Sequence, residues 1–296
     1  MTPFLCALPR EHGSACASVA LVIDFTGQVT LVTGAGRGLG RAYARLLAER
    51  GATVVVHDAG VGVDGRGGDR SVADAVVAAI RDEGGTAAAA YEDLGDRAGC
   101  RALIDGVLGR FGKIDALVHS AGLVIRAPID EIDEERWRRS QSVNVDAAFW
   151  LLQAVLPGML ERHYGRIVLT TSGYGLGPAD DVADLVAYCS AKAAQYGLMN
   201  GLAWAAADGV LVNAVAPIAA TRIYSRPVEP GELTPEQAAP GVVFLASPAC
   251  SSSGVVLRAE GGRFAAAGYD RGGGIDFGRQ PATPETIAER WGEITG

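Results

Sequence analysis

The sequence predicts an α/β fold in which a doubly wound, mostly parallel sheet of about seven strands carries helices on both faces. Three observations indicate this fold. Short apolar runs alternate with helix-periodic segments over residues 28–260 without an intervening linker. A glycine-rich turn at residues 34–40 joins the first apolar run to the first helix. Tyr188 and Lys192 stand four residues apart in a late helical segment.

The predicted elements follow one another in a regular alternation of strand and helix. Strand–helix–strand connections of this kind make the strands parallel, so their carboxyl ends share one edge of the sheet. The strands are predicted at 29–33, 53–58, 86–91, 114–119, 166–171, 210–215 and 255–260, and the helices at 38–49, 71–83, 96–110, 133–162, 185–206 and 235–246.

The turn after the first strand reads Thr33-Gly34-Ala35-Gly36-Arg37-Gly38-Leu39-Gly40. Glycines let a backbone approach a pyrophosphate, and the free N–H groups of a helix N-terminus attract its charge. Leucine occupies the last glycine position of the commoner Gly-x-Gly-x-x-Gly spacing. The context of strand, turn and helix therefore predicts a Rossmann-type dinucleotide site formed by Gly34, Arg37, Gly38, Leu39 and Gly40.

An acid at the end of the second strand indicates which dinucleotide binds. Asp58 lies 18 residues after Gly40, where a Rossmann unit places a carboxylate on the adenosine ribose. A carboxylate accepts hydrogen bonds from the ribose hydroxyls and repels a 2′-phosphate. Arg37 acts in the opposite sense, because a guanidinium attracts that phosphate. On balance we expect NAD, with NADP the less favoured cofactor.

Lysine is rare in this chain, since Lys113 and Lys192 are the only two in 296 residues. On a helix, Lys192 shares a face with Tyr188. An ammonium beside a phenol stabilises the phenolate and lowers its pKa from the ordinary value of about 10. The pair predicts that Tyr188 is an acid/base group and that Lys192 adjusts its pKa.

Four motifs occur in a fixed order: Thr33-Gly34-x-x-x-Gly38-x-Gly40, Asn144 within Ser142-Val143-Asn144-Val145, Ser172 after a strand, and Tyr188-x-x-x-Lys192. With them the chain resembles the classical short-chain dehydrogenase/reductase family. Within that family it is most similar to the (3R)-hydroxyacyl-CoA dehydrogenase domain of peroxisomal multifunctional enzymes type 2, through the glycine motif, the glycine-rich loop 59–70 and residues 163–168 and 283–288. The resemblance extends over roughly residues 24–294. It implies an NAD-dependent homo-oligomer, a dimer or a tetramer, that acts on a small carbonyl or alcohol substrate.

The resemblance also implies roles for individual residues. Tyr188 exchanges the hydroxyl proton, and Lys192 lowers its pKa and binds the nicotinamide ribose. Ser172 hydrogen-bonds the substrate oxygen, and Asn144 positions a water that links Lys192 to solvent. Besides Tyr188 and Lys192, further cofactor contacts are implied for Asp93, Leu94, Ser120, Ala121, Gly122, Pro217 and Thr221.

Two departures from the family pattern qualify these roles. His119-Ser120 stands where the family has two asparagines that brace the sheet and the cofactor, so we expect altered cofactor geometry. The interval between Ser172 and Tyr188 is longer than usual, and it contains three aspartates. Carboxylates at the entrance of the site would repel the negatively charged CoA, so we expect no preference for CoA thioesters. The three aspartates of this interval are Asp180, Asp181 and Asp184.

Composition narrows the partners and the compartment. A net charge of −8 disfavours nucleic acid and anionic membranes as partners, and no apolar run approaches the roughly 18 residues of a membrane span. Five cysteines without metal-ligand spacing favour a reducing cytoplasm and no metal site. We expect a poorly ordered N-terminal extension at 1–23, one Rossmann domain at 24–262, and a tail at 263–296 that packs near the active site or a subunit interface.

Together these features predict an NAD(H)-dependent oxidoreductase that transfers a hydride between nicotinamide and a carbonyl or secondary alcohol, with tyrosine as the acid/base group. Two alternatives stay open. A redox-neutral enzyme of the same fold, catalysing a dehydration or a cyclisation, would keep the four catalytic residues, and the changed His119-Ser120 pair and the acidic insertion before Tyr188 favour it. A non-catalytic NAD-binding module would need no acid/base group at all.

Overall fold

A central sheet organises the molecule. The computed structural model describes residues 22–62, 65–177, 182–205, 209–222, 224, 227–269, 275–277 and 282–295. Within these residues eight strands form one sheet in the order β3-β2-β1-β4-β5-β6-β7-β8. The strands are β1 Val29–Thr33, β2 Thr53–His57, β3 Thr86–Ala90, β4 Ala116–His119, β5 Gly165–Thr170, β6 Val210–Ile218, β7 Val256–Glu260 and β8 Arg263–Ala267.

Helices connect the strands and cover both faces of the sheet. In the described residues they are α1 Gly38–Glu49, α2 Ser71–Asp82, α3 Arg97–Phe111, α4 Glu134–Gln141, α5 Ala147–Glu161, α6 Val186–Ala205, α7 Pro235–Ala246, α8 Pro284–Glu289 and α9 Trp291–Thr295. One core cluster lies between the sheet and α1, α2 and α7. A second lies on the opposite face, with buried residues from α3, α5 and α6. The predicted doubly wound α/β architecture is confirmed.

The seven strands β1 to β7 are parallel, and their carboxyl ends form one rim. β1 pairs with β2 on one side and with β4 on the other, so the chain reverses its direction of winding between these strands. All residues of β1 and β5 are buried, as expected for strands covered on both faces. Ligands of open α/β sheets bind at such a reversal, outside the carboxyl ends of the strands.

The eighth strand was not predicted. β8 pairs antiparallel with β7 through a two-residue turn in which Gly261 has φ 53° and Gly262 has φ 80°. Positive φ at both turn positions gives the twist that a tight hairpin needs. The sequence pattern missed β8 because Arg263–Ala267 is an exposed edge strand and carries no alternating apolar face. The predicted domain boundary at residue 262 falls in this turn, so the first five residues of the predicted tail belong to the sheet.

The ends of the chain are described only in part. Of the predicted N-terminal extension, residues 1–21 lie outside the described residues, whereas Ile23 packs against the core. In the C-terminal part, the Tyr269 hydroxyl donates to the Gly175 carbonyl at 2.6 Å, beside the rim of the sheet. The Tyr269 ring also meets the ring of Tyr196 edge to face. These contacts bring the tail towards α6.

One helical stretch is long and apolar enough to cross a membrane by length and composition alone. It runs over Glu134–Glu161, 28 residues, with a mean hydropathy of 1.4 in its most apolar window. The expectation from uninterrupted apolar runs missed it, because Asn144, Asp146 and Gln153 interrupt the run. Core helices pass the same test, and here α5 buries Leu151 and Met159 against the sheet.

Candidate active site

The glycine turn packs tightly against the loop after β4. Gly34 has φ 66°, and a Cβ there would lie 2.7 Å from the Ala121 Cα. A Cβ on Gly40 would lie 2.2 Å from the Gly34 carbonyl oxygen. No side chain caps the N-terminus of α1, where Arg37 is the N-cap residue. The first N–H groups of α1 therefore remain available to an anion, and this arrangement fits a dinucleotide pyrophosphate.

Asp58 holds the turn in place. Its carboxylate accepts the Gly36 N–H at 2.9 Å and the Gly60 N–H at 2.8 Å. Each oxygen keeps a second lone pair, so the same group can accept ribose hydroxyls. Asp58 thus lies beside the glycine turn, where the sequence predicted the adenosine ribose to bind, and it also fixes the backbone of that turn.

Two guanidinium groups meet beside Asp58. Arg37 donates to the Val61 carbonyl at 3.3 Å, and Arg222 donates to the same oxygen at 3.1 Å. Burial and the neighbouring Arg37 charge lower the pKa of Arg222. Arg222 belongs to the loop after β6 and was missed by sequence reasoning, although it directly follows the predicted cofactor residue Thr221. The positive charge of Arg222 would attract a 2′-phosphate, so it weakens the preference for NAD over NADP that Asp58 suggests.

A cleft of about 760 Å³ extends along the rim of the sheet. It contains every sequence-predicted cofactor residue and three of the four predicted catalytic residues. Those that line it are Gly34, Arg37, Gly38, Leu39, Gly40, Asp58, Asp93, Leu94, Ser120, Ala121, Gly122, Ser172, Tyr188, Lys192, Pro217 and Thr221.

His119 acts as a structural brace behind this cleft. It is fully buried, and its Nδ1 lies 2.9 Å from the Thr33 hydroxyl, which also accepts the Ala121 N–H at 3.2 Å. Burial lowers the pKa of His119 to about 3, with a further contribution from Lys192, so the imidazole is neutral. A neutral imidazole thereby ties β4 to the threonine that begins the glycine turn.

The predicted acid/base pair lies at the opposite end of the cleft. Ser172 follows β5, and its side chain lies close enough to the Tyr188 hydroxyl to oppose the rise in the pKa of that group. Lys192 lies one turn further along α6, with its Nζ 5.6 Å from the centroid of the Tyr188 ring. The ammonium is 4% exposed and donates to the Thr170 carbonyl at 2.7 Å. Ser172, Tyr188 and Lys192 are therefore brought together as predicted.

The pKa values of this pair differ from the expectation. Burial lowers the pKa of Lys192 to about 7, and burial raises the pKa of Tyr188 to about 12. The expected lowering of the tyrosine pKa is absent in the protein alone, because desolvation disfavours the charged form of each group. Tyr188 is thus held as a protonated donor.

Asn144 lies behind the cleft rather than in its wall. It belongs to a π-helical segment, Ser142–Asp146, between α4 and α5. Its amide nitrogen donates to the Leu123 carbonyl at 2.9 Å and to the Ser140 carbonyl at 3.0 Å, and its amide oxygen accepts the Leu123 N–H at 3.2 Å. The side chain therefore holds the loop after β4. The role in positioning a water stays a prediction.

The acidic segment before Tyr188 is described only at one of its three aspartates. Asp180 and Asp181 lie outside the described residues. Asp184 forms an ion pair with Arg126, with nitrogen–oxygen distances of 3.1 and 3.0 Å. The positive charge of Arg126 offsets this carboxylate, so Asp184 adds little to the repulsion of CoA that the sequence suggested.

Apolar and aromatic side chains also line the cleft at positions that the sequence did not mark. They were missed because isolated apolar positions in loops carry no periodic signal. Two ion pairs, Arg126 with Asp184 and Arg258 with Glu260, offset the charges of two arginines that line the cleft. The apolar and aromatic residues that line it include Leu123, Val124, Val143, Tyr174, Leu176, Leu185, Tyr224 and Ala267.

Comparison with known proteins agrees with this geometry. The short chain dehydrogenase family model matches residues 28–225, which is more than half of the chain. A Mycobacterium tuberculosis protein described as a short-chain type dehydrogenase/reductase is 37% identical over 272 residues, covering 90% of this chain and 94% of its own length. Peroxisomal multifunctional enzyme type 2 of mouse is 36% identical over 283 residues, covering 93% of this chain. This chain spans only 38% of the mouse enzyme.

Solved structures extend the comparison. The crystal structure of a short chain dehydrogenase from Mycobacterium avium superimposes with a TM-score of 0.78 at 33% sequence identity, covering 93% of this chain and 96% of the other. The chain belongs to the short-chain dehydrogenase/reductase family. It is an NAD(P)-dependent oxidoreductase that acts on CH–OH groups.

The burial of Lys192 predicts how the stability of the folded protein depends on pH. Between pH 7 and the ordinary lysine pKa of 10.5, the unfolded chain binds a proton that the folded chain lacks, so wild-type stability rises with pH in this window. Below pH 7 the folded protein carries the full cost of a buried ammonium. Lys192→Met removes this cost. The free energy of unfolding of the variant minus that of wild type should therefore be more positive at pH 6.5 than at pH 9, by about 1–3 kcal/mol.

Urea unfolding at the two pH values measures this difference. Lys113→Met is the matched control, because Lys113 is the other lysine, is about one-third exposed and pairs with Asp115 at 2.8 Å. Its effect should be the same at both pH values. An equal effect of Lys192→Met at pH 6.5 and pH 9 would show that Lys192 is not desolvated.

Proposed function

We propose that this chain is an NAD-preferring dehydrogenase/reductase of compact, largely apolar secondary alcohols and ketones, with Tyr188 as the acid/base group. One observation carries the proposal: Tyr188 and Ser172 lie beside the buried Lys192 in the same cleft that begins at the glycine turn. The intact set of acid/base residues supports turnover over a purely structural role for the dinucleotide.

In the reductive direction, Tyr188 donates its proton to the substrate oxygen as the carbonyl carbon is reduced. The Ser172 hydroxyl hydrogen-bonds the same oxygen and fixes its position against Tyr188. The nicotinamide of the bound cofactor supplies or accepts the hydride. In the oxidative direction, the Tyr188 phenolate, stabilised by the Lys192 ammonium, accepts the hydroxyl proton and becomes the neutral phenol. The apolar wall excludes water from the reacting carbon.

The cofactor fits the residues that are present. The uncapped N-terminus of α1 and the close approach of Gly34 to Ala121 leave a bare backbone surface for the pyrophosphate. Asp58 would accept the ribose hydroxyls of NAD, and its carboxylate would repel a 2′-phosphate. Arg37 and Arg222 lie beside it, so the preference for NAD is expected to be modest.

A homo-oligomer, a dimer or a tetramer, and a cytoplasmic location complete the proposal. Large exposed side chains on α5 and α6 support association, since Phe149 is 42% exposed and Trp204 is 92% exposed. The described cysteines Cys100, Cys189 and Cys250 are free thiols, which suits a reducing compartment.

Removing the Tyr188 hydroxyl tests the acid/base assignment. Tyr188→Phe keeps the ring and deletes the proton donor, so kcat for ketone reduction should fall by about 100-fold or more. The dissociation constant for NADH should stay within about threefold, because cofactor contacts other than the hydroxyl persist. Steady-state kinetics and NADH fluorescence titration provide the two values.

Tyr196→Phe is the control for this variant, because Tyr196 lies two turns further along α6 and contacts the Tyr269 ring. It should leave kcat unchanged. Retention of more than a tenth of wild-type kcat in Tyr188→Phe would place the proton donor elsewhere.

The cofactor preference follows from the charge on Asp58. Wild type should bind NADH more tightly than NADPH. Asp58→Asn keeps one oxygen that can accept the Gly36 or the Gly60 N–H and removes the charge, so the difference between the NADH and NADPH dissociation constants should narrow by about tenfold, mainly through tighter NADPH binding. Fluorescence titration of both cofactors measures it, with the exposed Asp105→Asn as control. Tighter binding of NADPH than NADH by wild type would refute the proposed preference.

The substrate proposal follows from the apolar wall and its ion-paired cations. A ketone without a CoA moiety should be reduced with a higher kcat/KM than a 3-oxoacyl-CoA thioester. A pantetheine-truncated 3-oxoacyl thioester should have a kcat/KM at least equal to that of the full CoA thioester. NADH oxidation at low salt, where charge effects are greatest, compares the two thioesters and a panel of cyclic ketones. A higher kcat/KM for the full CoA thioester would instead favour CoA as part of the substrate.

A further inference from the structure

A buried amide on α6 stands out beside the catalytic pair. Gln195 is fully buried and lies three residues after Lys192. Its Nε2 donates to the backbone carbonyl of Asn144 at 2.5 Å. Its Oε1 has no hydrogen-bond donor among the described residues. Burying an amide with one unsatisfied acceptor costs stability, which an apolar side chain of the same size would avoid. Stability alone therefore does not explain this residue.

The carbonyl that Gln195 contacts belongs to the π-helical segment Ser142–Asp146. Such segments are short irregularities that are frequent at functional sites. The side chain of Asn144 in turn bonds both backbone groups of Leu123, in the loop after β4. Gln195, Asn144 and Leu123 thus form a chain of hydrogen bonds from α6 to the loop on the other side of the catalytic end of the cleft.

The Asn144 side chain and Lys192 both approach Gly122. A Cβ built on Gly122 would lie 2.7 Å from the Asn144 Oδ1 and 3.5 Å from the Lys192 Nζ. The amide oxygen and the ammonium therefore flank the same point. The negative end of the amide dipole favours the charged form of lysine, and its effect is strong in a desolvated site.

We propose that Gln195 is a positioning residue of the acid/base site: by holding the Asn144 peptide, it keeps the Asn144 amide oxygen beside Lys192 and so favours the ammonium that stabilises the Tyr188 phenolate. The proposal rests on the proposed roles of Tyr188 and Lys192. It extends the site by a residue that touches neither substrate nor cofactor.

Other titratable groups near the pair come from three elements. His119 on β4 acts on Lys192, and Cys189 on α6 and Tyr174 in the turn after β5 act on Tyr188. Burial keeps His119 neutral and raises the pKa of Cys189. These groups are unchanged in a Gln195 variant, so a change in the titration of Lys192 reports the loss of the Gln195 contact.

Gln195→Met tests the proposal, because methionine matches the length of glutamine and cannot donate to the Asn144 carbonyl. We expect kcat to fall about 5- to 20-fold, with KM and the NADH dissociation constant within twofold of wild type. The midpoint of the pH profile for alcohol oxidation should move to higher pH, since a less charged Lys192 stabilises the phenolate less. Met199→Leu is the control: Met199 is fully buried one turn further along α6, and its kinetics should match wild type.

A second readout does not require turnover. The chain has two lysines, so the Nζ resonance of Lys192 can be followed by ¹⁵N NMR in labelled protein. Its titration midpoint should be lower in Gln195→Met than in wild type. If Gln195→Met does not fold, Gln195→Leu takes its place.

The outcomes separate the two proposals. A wild-type kcat and an unmoved Lys192 midpoint would overturn the role of Gln195, as would equal losses in Met199→Leu. If wild type reduces no ketone at all, the proposed function fails, and the Lys192 midpoint still decides whether Gln195 sets the environment of the lysine.

Discussion

The buried ammonium of Lys192 is the constraint on which the end of the cleft around Tyr188 depends. An isolated charge in a protein interior is costly, and here one carbonyl, that of Thr170 at the end of β5, accepts its hydrogen bond. The hydroxyl of Thr171 fixes the helix that carries the lysine, by donating to the Lys192 carbonyl at 2.7 Å. Two consecutive threonines at the end of one strand therefore position α6, and with it Tyr188, against the rim of the sheet.

The same rim explains why distant parts of the sequence act together. Register pairing places His57, Thr33 and His119 side by side at the ends of β2, β1 and β4. The residues that follow these strands, from the glycine turn to Asp58 and Ala121, consequently surround the dinucleotide end of the cleft. The residues after β5 and on α6 form the reacting end. Parallel strands with their carboxyl ends together are sufficient to bring all of them to one groove.

The sequence predicts the position of a residue where backbone geometry or a motif demands its type. The glycine turn, Asp58, Ser172 and the Tyr188–Lys192 pair lie where they were expected. Tertiary environment changes what the residues alone suggest: desolvation raises the pKa of Tyr188, which was expected to fall, and an ion pair with Arg126 offsets the charge of Asp184. Gln195 and Arg222 left no periodic or motif signal, because their roles arise only from contacts across the cleft and between elements. Strand β8 was not predicted because its residues are exposed and form no apolar face.

The titration of Lys192 in the wild-type protein tests the central claim most directly. Two ¹⁵N-labelled lysine resonances are expected, and Lys113→Met assigns them. The account predicts that the remaining Lys192 resonance titrates with a pKa of about 7, well below the ordinary 10.5, because burial disfavours its charge. A Lys192 that titrates at 10.5 would contradict the burial of the ammonium under the rim.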